Sequence, residues 1–259
     1  MPTWSATQYL KFGDERTRPS RDLAARIEVA KVRRVIDLGC GPGNSTEILA
    51  ERWPDADITG LDNSPRMIEA ARLAYPGWRW VERDIGQWAS EGGPGFNVVF
   101  SNAALQWVPD HAVLLPQLMA MVAPGGALAF QMPAQDSLAH RLMRTMAASE
   151  LWRDSLPAGR VVEWHSHQPD FYYDVLAPYG SRVDLWKTEY VHVMADAEAI
   201  VEWYRGSGLR PYLDALNTEA ERERFAGQYL DGIGELYPRR GNGRVLFPFR
   251  RLFAIVSRE

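Results

Sequence analysis

One stretch decides the fold of this chain: Val35-Ile36-Asp37-Leu38-Gly39-Cys40-Gly41-Pro42-Gly43-Asn44-Ser45-Thr46. A short apolar run typical of a buried strand ends there, and a helical stretch begins at Asn44. The glycines at alternate positions permit positive φ and let a ligand approach the backbone closely. The helix start offers unpaired N–H groups. The stretch therefore predicts a ligand site at the carboxyl edge of a parallel sheet.

The spacing of the glycines and the acidic residue before them narrow the class of ligand. The loop reads G-x-G-x-G, not the dinucleotide pattern G-x-G-x-x-G, and Asp37 lies two residues before Gly39. A carboxylate at this point disfavours a pyrophosphate and hence a dehydrogenase. It favours a ligand with a cationic amino-acid end, such as S-adenosylmethionine.

Polar side chains also end the next three predicted strands. Asp62 is placed to bind both ribose hydroxyls, Asp84 to accept from the adenine amino group, and Ile85 to pack on the ring. A single carboxylate after a strand can equally cap a helix or lie in a solvated turn. Because polar residues end four successive predicted strands, beginning with the one that leads into the glycine loop, a cofactor site is the favoured interpretation. The predicted cofactor residues are Asp37, Gly39, Gly41, Gly43, Asp62, Asn63, Met67, Asp84, Ile85 and Asn102.

Strands alternate with helices along the first half of the chain, which predicts an α/β fold with a parallel sheet and right-handed crossovers. The predicted strands are Arg33–Leu38, Asp57–Asp62, Arg79–Glu82, Phe96–Ser101, Gly126–Gln131, Val183–His192 and Phe249–Ser257, the last antiparallel to its neighbours. We expect one domain, with a core of about 20–132, 169–193 and 248–259, and with cover segments 1–19, 133–168 and 194–247 over the cofactor edge.

The glycine loop with Asp37, Asp62 and Asp84, and the stretch Leu118–Gln131 containing Ala123-Pro124-Gly125-Gly126, resemble the class I S-adenosylmethionine-dependent methyltransferases. This resemblance implies a Rossmann-like, seven-stranded sheet with helices on both faces and a helical lid. Further blocks, spread over essentially the whole chain, resemble the trans-aconitate methyltransferase family within that group. They are Tyr9–Phe12, Glu15–Pro19, Ala104–His111, Gln131–Pro133, Gly208–Pro211 and Phe249–Phe253.

The resemblance implies methyl transfer from S-adenosylmethionine to a carboxylate of trans-aconitate or a related small polyacid, giving a monomethyl ester and S-adenosylhomocysteine. Because a carboxylate with a pKa of about 4 is ionised at pH 7, we expect no catalytic base. Arginine forks match carboxylates, although most arginines in any chain are solvated or paired locally. The substrate residues implied are Tyr9, Arg16, Arg18, Trp107, His111 and Arg210.

Bulk properties agree with a cytoplasmic enzyme. The net charge of −4 provides no general attraction to nucleic acid or anionic membranes, and no apolar run reaches the roughly 18 residues of a membrane span. Residues 1–19 lack the apolar region of a signal peptide. Cys40 is the single cysteine, which excludes an intrachain disulfide. We expect no metal, since the pair His165 and His167 has no assignable third ligand, and a monomer or weak dimer.

Other functions stay open at this point. The chain can be a methyltransferase for a different small-molecule acceptor, or a binding module that keeps the cofactor site without turnover. A nucleic-acid methyltransferase is disfavoured, because the fourth predicted strand ends in Ser101-Asn102-Ala103-Ala104 rather than in an Asn/Asp-Pro-Pro-Tyr/Phe block, and no basic stripe is evident.

Overall fold

The computed structural model describes residues 13–93, 95–134, 137–157, 161 and 164–259, with the backbone alone for Gly13 and Asp14. Seven strands form one sheet. They are β1 (Arg34–Leu38), β2 (Asp57–Asp62), β3 (Arg79–Glu82), β4 (Phe96–Asn102), β5 (Val122–Pro133), β6 (Arg182–Met194) and β7 (Val245–Ser257).

The helices of the described residues fall mostly between these strands. In chain order they are α1 (Gly13–Ala25), α2 (Asn44–Arg52), α3 (Pro65–Ala74), α4 (Ile85–Glu91), α5 (His111–Ala120), α6 (Leu138–Ala147), α7 (Pro169–Leu176), α8 (Ala197–Arg205), α9 (Arg210–Ala215) and α10 (Glu219–Leu236). A 3₁₀ turn covers Leu105–Trp107. None of the described helices combines the length and the apolar character that crossing a membrane requires.

The strand order is β3-β2-β1-β4-β5-β7-β6. The first five strands pair in parallel, whereas β7 runs antiparallel to β5, with Ala127 opposite Ser257. This confirms the predicted seven-stranded, mostly parallel sheet and its antiparallel final strand. Because β1 has β2 on one side and β4 on the other, the chain reverses its direction of winding there, which opens a crevice at the carboxyl ends of these strands.

The chain divides into two compact units. The sheet unit comprises the described residues of 13–133, 164–188 and 251–259, and the insert unit comprises the described residues of 134–163 and 189–250. The division falls within β6 and β7. The expected role of segments 1–19, 133–168 and 194–247 as a cover remains a prediction.

Each unit has its own apolar core. In the sheet unit, Ile36, Val99 and Phe130 from neighbouring strands are at most 1% exposed. Strands covered on both faces read as near-continuous apolar runs, which is why β1 is recognisable from its sequence. The insert unit packs aromatic side chains of α8, α10 and β7 together, among them Trp203, Tyr204, Tyr229 and Phe247.

Two local features differ from the sequence expectation. The helix α4 is only seven residues long, too short for a recognisable apolar period, and was not predicted. Ser64 is the N-cap of α3 with Pro65 at its first position, residue types that are typical of a helix start, but the serine side chain makes no capping hydrogen bond.

Arg258 closes the carboxyl end of α5. Its Nη1 donates to the carbonyl oxygens of Met119 at 3.3 Å, Ala120 at 3.1 Å and Val122 at 2.5 Å. The last carbonyls of a helix lack partners within the helix and carry partial negative charge, so a guanidinium there both donates and neutralises. The contact joins the C-terminal end of the chain to α5 and β5.

We expect Arg258→Ala to lower the free energy of unfolding by about 1–2 kcal/mol, because several carbonyls lose a charged donor. Urea denaturation followed by circular dichroism measures the change. Arg182→Ala is the matched control, since Arg182 pairs with Glu28 at the surface with side chains 65% and 79% exposed, and exposed pairs contribute little. Equal shifts in the two variants would contradict the capping role.

Candidate functional site

The glycine loop has a left-handed backbone at each of its glycines, with φ of +72° at Gly39, +55° at Gly41 and +102° at Gly43. A Cβ atom on Gly39 would lie 2.1 Å from the Cβ of Ala104, so no side chain fits there. At Gly41, by contrast, a Cβ would meet no atom within 4 Å. The loop is therefore packed tightly behind Gly39 and leaves space for a ligand beside Gly41.

Asp62 holds this loop from the tip of β2. Its Oδ2 accepts from the Gly41 N–H at 3.0 Å, and its Oδ1 accepts from the Ser64 N–H at 2.9 Å. Burial raises the pKa of Asp62, while these backbone hydrogen bonds oppose the rise. A carboxylate has about four acceptor positions, so Asp62 can anchor the loop and still accept from a ligand.

Asp37 is fully buried within β1, at 0% exposure. Its Oδ2 accepts from Ser45 Oγ at 2.6 Å and from Thr46 Oγ1 at 2.7 Å, both in the first turn of α2. Within the described part of the chain, Oδ1 has no hydrogen-bond partner. Leaving a buried carboxylate oxygen without a donor is costly, and a cationic ligand group would satisfy it.

The environment of Asp37 also changes its acidity. Burial raises the pKa of this carboxyl to about 6, the Asp62 charge adds to the rise, and the hydrogen bonds from Ser45 and Thr46 oppose it. A strongly perturbed carboxyl group beside a glycine loop is typical of a functional site.

The residues expected around the adenosine also lie near the strand tips. Asp84 is the N-cap of α4, where its Oδ1 accepts from the Gln87 N–H at 3.0 Å. The helix-cap interpretation of this carboxylate is thus correct, and its second oxygen can still accept from a ligand. Ile85 and Met67 are buried, at 7% and 5% exposure, whereas Asn63 is exposed.

Asn102, at the tip of β4, belongs to a buried polar chain. Its Oδ1 accepts from Gln131 Nε2, and Gln131 Oε1 accepts from Arg251 Nη1 at 3.1 Å. The next residue, Ala103, has a φ of +55°, which is uncommon outside glycine. Sequence reasoning missed Gln131 and Arg251 as site residues, although both lie within the blocks that carry the family resemblance.

These groups fit S-adenosylmethionine. Parallel pairing of β1 with β2 and β4, and of β2 with β3, brings the loop and the strand-tip residues to one edge of the sheet. The buried Oδ1 of Asp37, which has no partner in the described part of the chain, suits a cation. Asp62 offers acceptors, and the space beside Gly41 admits a ligand. The expected role of each residue remains a prediction.

His111, which we expected to contact the substrate, is buried in the structure. It is 1% exposed, with Nδ1 at 3.0 Å from the Tyr172 hydroxyl and Nε2 at 2.9 Å from the Leu105 carbonyl oxygen. Burial lowers the pKa of His111, so the ring is neutral at pH 7. Because the carbonyl only accepts, Nε2 carries the proton and Nδ1 accepts from Tyr172. This arrangement favours a structural role over direct contact with a substrate.

The other expected substrate residues lie in different parts of the chain. In the sheet unit, Trp107 is half-buried and packs edge-to-face on Trp164 at 5.6 Å between centroids. On α1, Arg16 is buried and Arg18 is exposed.

Another expected substrate residue, Arg210, belongs to the insert unit. Arg210 is the first residue of α9, and its Nε lies 3.0 Å from Asp214 Oδ1. Arg210 therefore has a carboxylate partner within its own helix, and its role toward a substrate remains a prediction. Tyr9 lies outside the described residues.

His165 and His167 have local partners in the sheet unit. The His165 N–H donates to the Gln106 carbonyl at 2.8 Å, and the His167 ring stacks on Phe171 with centroids 3.9 Å apart. In the ranges that the structure describes, no three His, Cys, Asp or Glu side chains are grouped as metal ligands would be.

The fold has counterparts among solved structures. A SAM-dependent methyltransferase from Archaeoglobus fulgidus matches with a TM-score of 0.55 and 16% identity, over 96% of this chain and 97% of that one. Phosphoethanolamine N-methyltransferase 2 from Haemonchus contortus, in complex with S-adenosyl-L-methionine, matches with a TM-score of 0.54 and 16% identity. That match covers 93% of this chain and 53% of the other. At these identities the likeness concerns the fold alone.

Sequence comparison is more specific. A family model described as a methyltransferase domain matches residues 9–183. The trans-aconitate 2-methyltransferase of Azoarcus sp. (strain BH72) is 48% identical over 259 residues, which is 100% of both chains. The protein of the same name from Rhodopseudomonas palustris (strain BisA53) is 47% identical, also over 100% of both chains. The chain therefore belongs to the S-adenosylmethionine-dependent methyltransferases, in the trans-aconitate 2-methyltransferase family.

Proposed function

We propose that this enzyme methylates a carboxylate of trans-aconitate, producing a monomethyl ester. The observation that carries the proposal is the 48% identity, over the full length of both chains, to a protein named trans-aconitate 2-methyltransferase. The strand-tip geometry supports the cofactor half of the reaction. A different small-molecule acceptor, the alternative from the sequence, has no observation of its own in its favour.

The cofactor supplies the methyl group and the thioether leaving group when bound. We propose that Asp37 accepts from its cationic amino group, Asp62 from the ribose hydroxyls, and the outer oxygen of Asp84 from the adenine amino group. Gly41 leaves the space in which the ligand lies against the backbone. Ile85 packs against the adenine ring.

The acceptor needs little chemical activation from the protein. A carboxylate is ionised at pH 7 and carries the lone pair for in-line attack at the methyl carbon, so no proton has to be removed. The residues of the site therefore act by holding the two reactants in line and by excluding water. No general base is assigned.

A polyacid also needs cationic partners for the carboxylates that do not react. We propose that Arg16, Arg18 and Arg210 serve this role, because a guanidinium fork matches a carboxylate with two parallel hydrogen bonds. Tyr9 and Trp107 are proposed as further substrate-binding residues. His111 contributes by fixing the 3₁₀ turn that carries Trp107, through its bond to Leu105.

We further propose that the enzyme is cytoplasmic, acts as a monomer or weak dimer, and has neither nucleic acid nor membrane as a partner. The acidic net charge of −4 supports the last two points.

The activity is tested with methyl-labelled S-adenosylmethionine and a panel of di- and tricarboxylic acids. We expect label transfer to trans-aconitate in a form that base releases as volatile methanol, because an ester is base-labile. Base-stable label, or turnover only with acceptors that lack a carboxylate, would overturn the proposal. Binding of S-adenosylmethionine without any turnover would identify a binding module.

The Asp62→Ala variant tests whether the Asp62 carboxylate contributes to the binding of the cofactor. We expect Asp62→Ala to weaken binding of S-adenosylmethionine by about 1–3 kcal/mol, since both the proposed ribose contact and the Gly41 anchor are lost. Isothermal titration calorimetry measures the affinity. Asp57→Ala is the matched control, because Asp57 is exposed at the opposite end of the same strand. Unchanged affinity in Asp62→Ala would remove Asp62 from the site.

The raised pKa of Asp37 predicts a dependence on pH. The folded-state value of about 6 exceeds the unfolded value of about 3.8, so the folded state binds more protons and its stability falls as pH rises from about 4 to 6. Asp37→Asn abolishes this titration. Without cofactor, the Tm of the variant minus that of wild type should therefore increase over this range. A difference that does not vary with pH would contradict the assignment.

Asp37→Asn is also expected to change the affinity for the cofactor. At pH 7 the Asp37 carboxylate is ionised and can pair with an ammonium group, so Asp37→Asn should bind S-adenosylmethionine about 10- to 100-fold more weakly. Between pH 5 and 7, affinity should increase with pH in wild type and stay level in the variant.

A further inference from the structure

The buried chain of Arg251, Gln131 and Asn102 crosses three strands of the sheet unit. Asn102 lies opposite Gln131 in the pairing of β4 with β5, and Arg251 lies opposite Pro133 in the pairing of β5 with β7. Their exposures are 8%, 0% and 3% for Asn102, Gln131 and Arg251. Buried polar groups this close together constrain one another through the hydrogen bonds that each can make.

The Arg251 guanidinium determines the direction of both hydrogen bonds that link these three side chains. Arginine has donors and no acceptor, so the atom that Gln131 turns toward Arg251 Nη1 must be Oε1. The Gln131 amide then presents Nε2, a donor, on its other side, and the atom of Asn102 that receives it must be Oδ1. The orientation of both amides thus follows from the position of one cation.

The remaining group of Asn102 is its Nδ2, which carries two N–H donors. Among the residues that the structure describes, Nδ2 has no hydrogen-bond partner. The backbone around it is also fixed, because the Ala103 N–H donates to the Gln131 carbonyl at 2.9 Å and Ala103 is held at a positive φ. Asn102 therefore presents its Nδ2 donor at the tip of β4, while its Oδ1 is turned toward Gln131.

We propose that Arg251 is a positioning residue that acts through Gln131 to keep the Asn102 amide turned with its N–H groups toward the acceptor carboxylate of the substrate. This inference rests on the proposed function and extends it. It also revises the expected role of Asn102, because Nδ2, the group that is not turned toward Gln131, only donates and cannot accept from the ammonium of the cofactor. A donor suits an anionic acceptor, which must be held without being protonated.

Gln131→Glu is the sharpest test, since it should preserve the fold while reversing the orientation of the Asn102 amide. The new carboxylate accepts from Arg251 as well as or better than the amide did, but it has no donor for Asn102, so Asn102 must turn its Nδ2 inward. We expect kcat/KM for trans-aconitate to fall about 10- to 100-fold, with S-adenosylmethionine affinity within threefold of wild type and no loss of Tm. A wild-type kcat/KM would overturn the proposal.

Arg251 itself is tested by a double-mutant cycle with Asn102. Arg251→Met should lower kcat/KM, and Arg251→Lys should rescue part of it because lysine also donates to Gln131 Oε1. In an Asn102→Ala background Arg251→Met should have no further effect, since no amide is left to orient. If the double variant instead lost kcat/KM by the product of the two single losses, Arg251 would act independently of Asn102, and the proposal would be overturned.

Asn102→Asp distinguishes the two possible partners of this position. It keeps the acceptor for Gln131 but replaces the donor with a negative charge. If Asn102 faces the substrate, KM for trans-aconitate should increase at least tenfold while S-adenosylmethionine affinity stays the same. A wild-type KM together with tighter binding of S-adenosylmethionine would instead assign Asn102 to the cofactor ammonium and overturn the inference.

A spectroscopic measurement does not depend on turnover. In ¹⁵N–¹H spectra the side-chain NH₂ signal of Asn102, identified by its absence from Asn102→Asp, should shift when trans-aconitate is added to enzyme saturated with S-adenosylhomocysteine. It should not shift in Gln131→Glu. Wild-type turnover of trans-aconitate with no shift at Asn102 would overturn this inference alone, whereas absence of wild-type turnover would overturn the proposed function.

Discussion

The parallel pairing of β1 with both β2 and β4 is the constraint on which the rest of the site depends. It places the Gly39–Gly43 loop at the point where the winding of the sheet reverses, with Asp62 on one side and Asn102 on the other. The Gly39 and Cys40 N–H groups donate to the Leu61 carbonyl at 2.7 and 3.0 Å, so the loop continues the pairing beyond the strand. The tip of β2 therefore holds the loop through its backbone as well as through Asp62.

Charge is distributed unevenly along this edge of the sheet. Asp37, Asp62 and Asp84 lie toward β1, β2 and β3, whereas Arg251 and the amides that it orients lie toward β4, β5 and β7. A methyl transfer to a carboxylate brings together a cationic donor and an anionic acceptor. The acidic side suits the first and the donor side suits the second, so the polarity of the edge itself can align the two reactants before any chemistry occurs.

This arrangement costs stability in the absence of ligand. Asp37 is fully buried and Asp62 is half-buried, and the Asp62 charge adds to the rise in the pKa of Asp37 that burial causes. Ser45 and Thr46 offset part of this cost for one oxygen of Asp37, and the other oxygen has no donor among the described residues. Unfavourable groups of this kind persist where a ligand compensates them, as expected at functional sites.

Local patterns in the sequence determined most of the fold and the positions of Asp37, Asp62 and Asp84 at or just after the ends of the first three strands. Some features depend only on neighbours a few residues away and can therefore be predicted from the sequence. They are the apolar run of β1, the alternation of strands with helices and the left-handed glycines. The sequence also offered helix capping as an interpretation of Asp84, because capping depends on residues close in the sequence, although α4 itself was too short to predict.

The tertiary structure alone decided which side chains face which. Gln131 and Arg251 are 120 residues apart, and Gln131 and Asn102 are 29 apart, so only the pairing of β4, β5 and β7 brings them together. His111 shows the same limit, since its burial against Tyr172, 61 residues away, turns an apparent site histidine inward. Sequence patterns report the period of burial along a strand or helix, whereas hydrogen-bond direction depends on partners distant in the chain, and for that reason it required the fold.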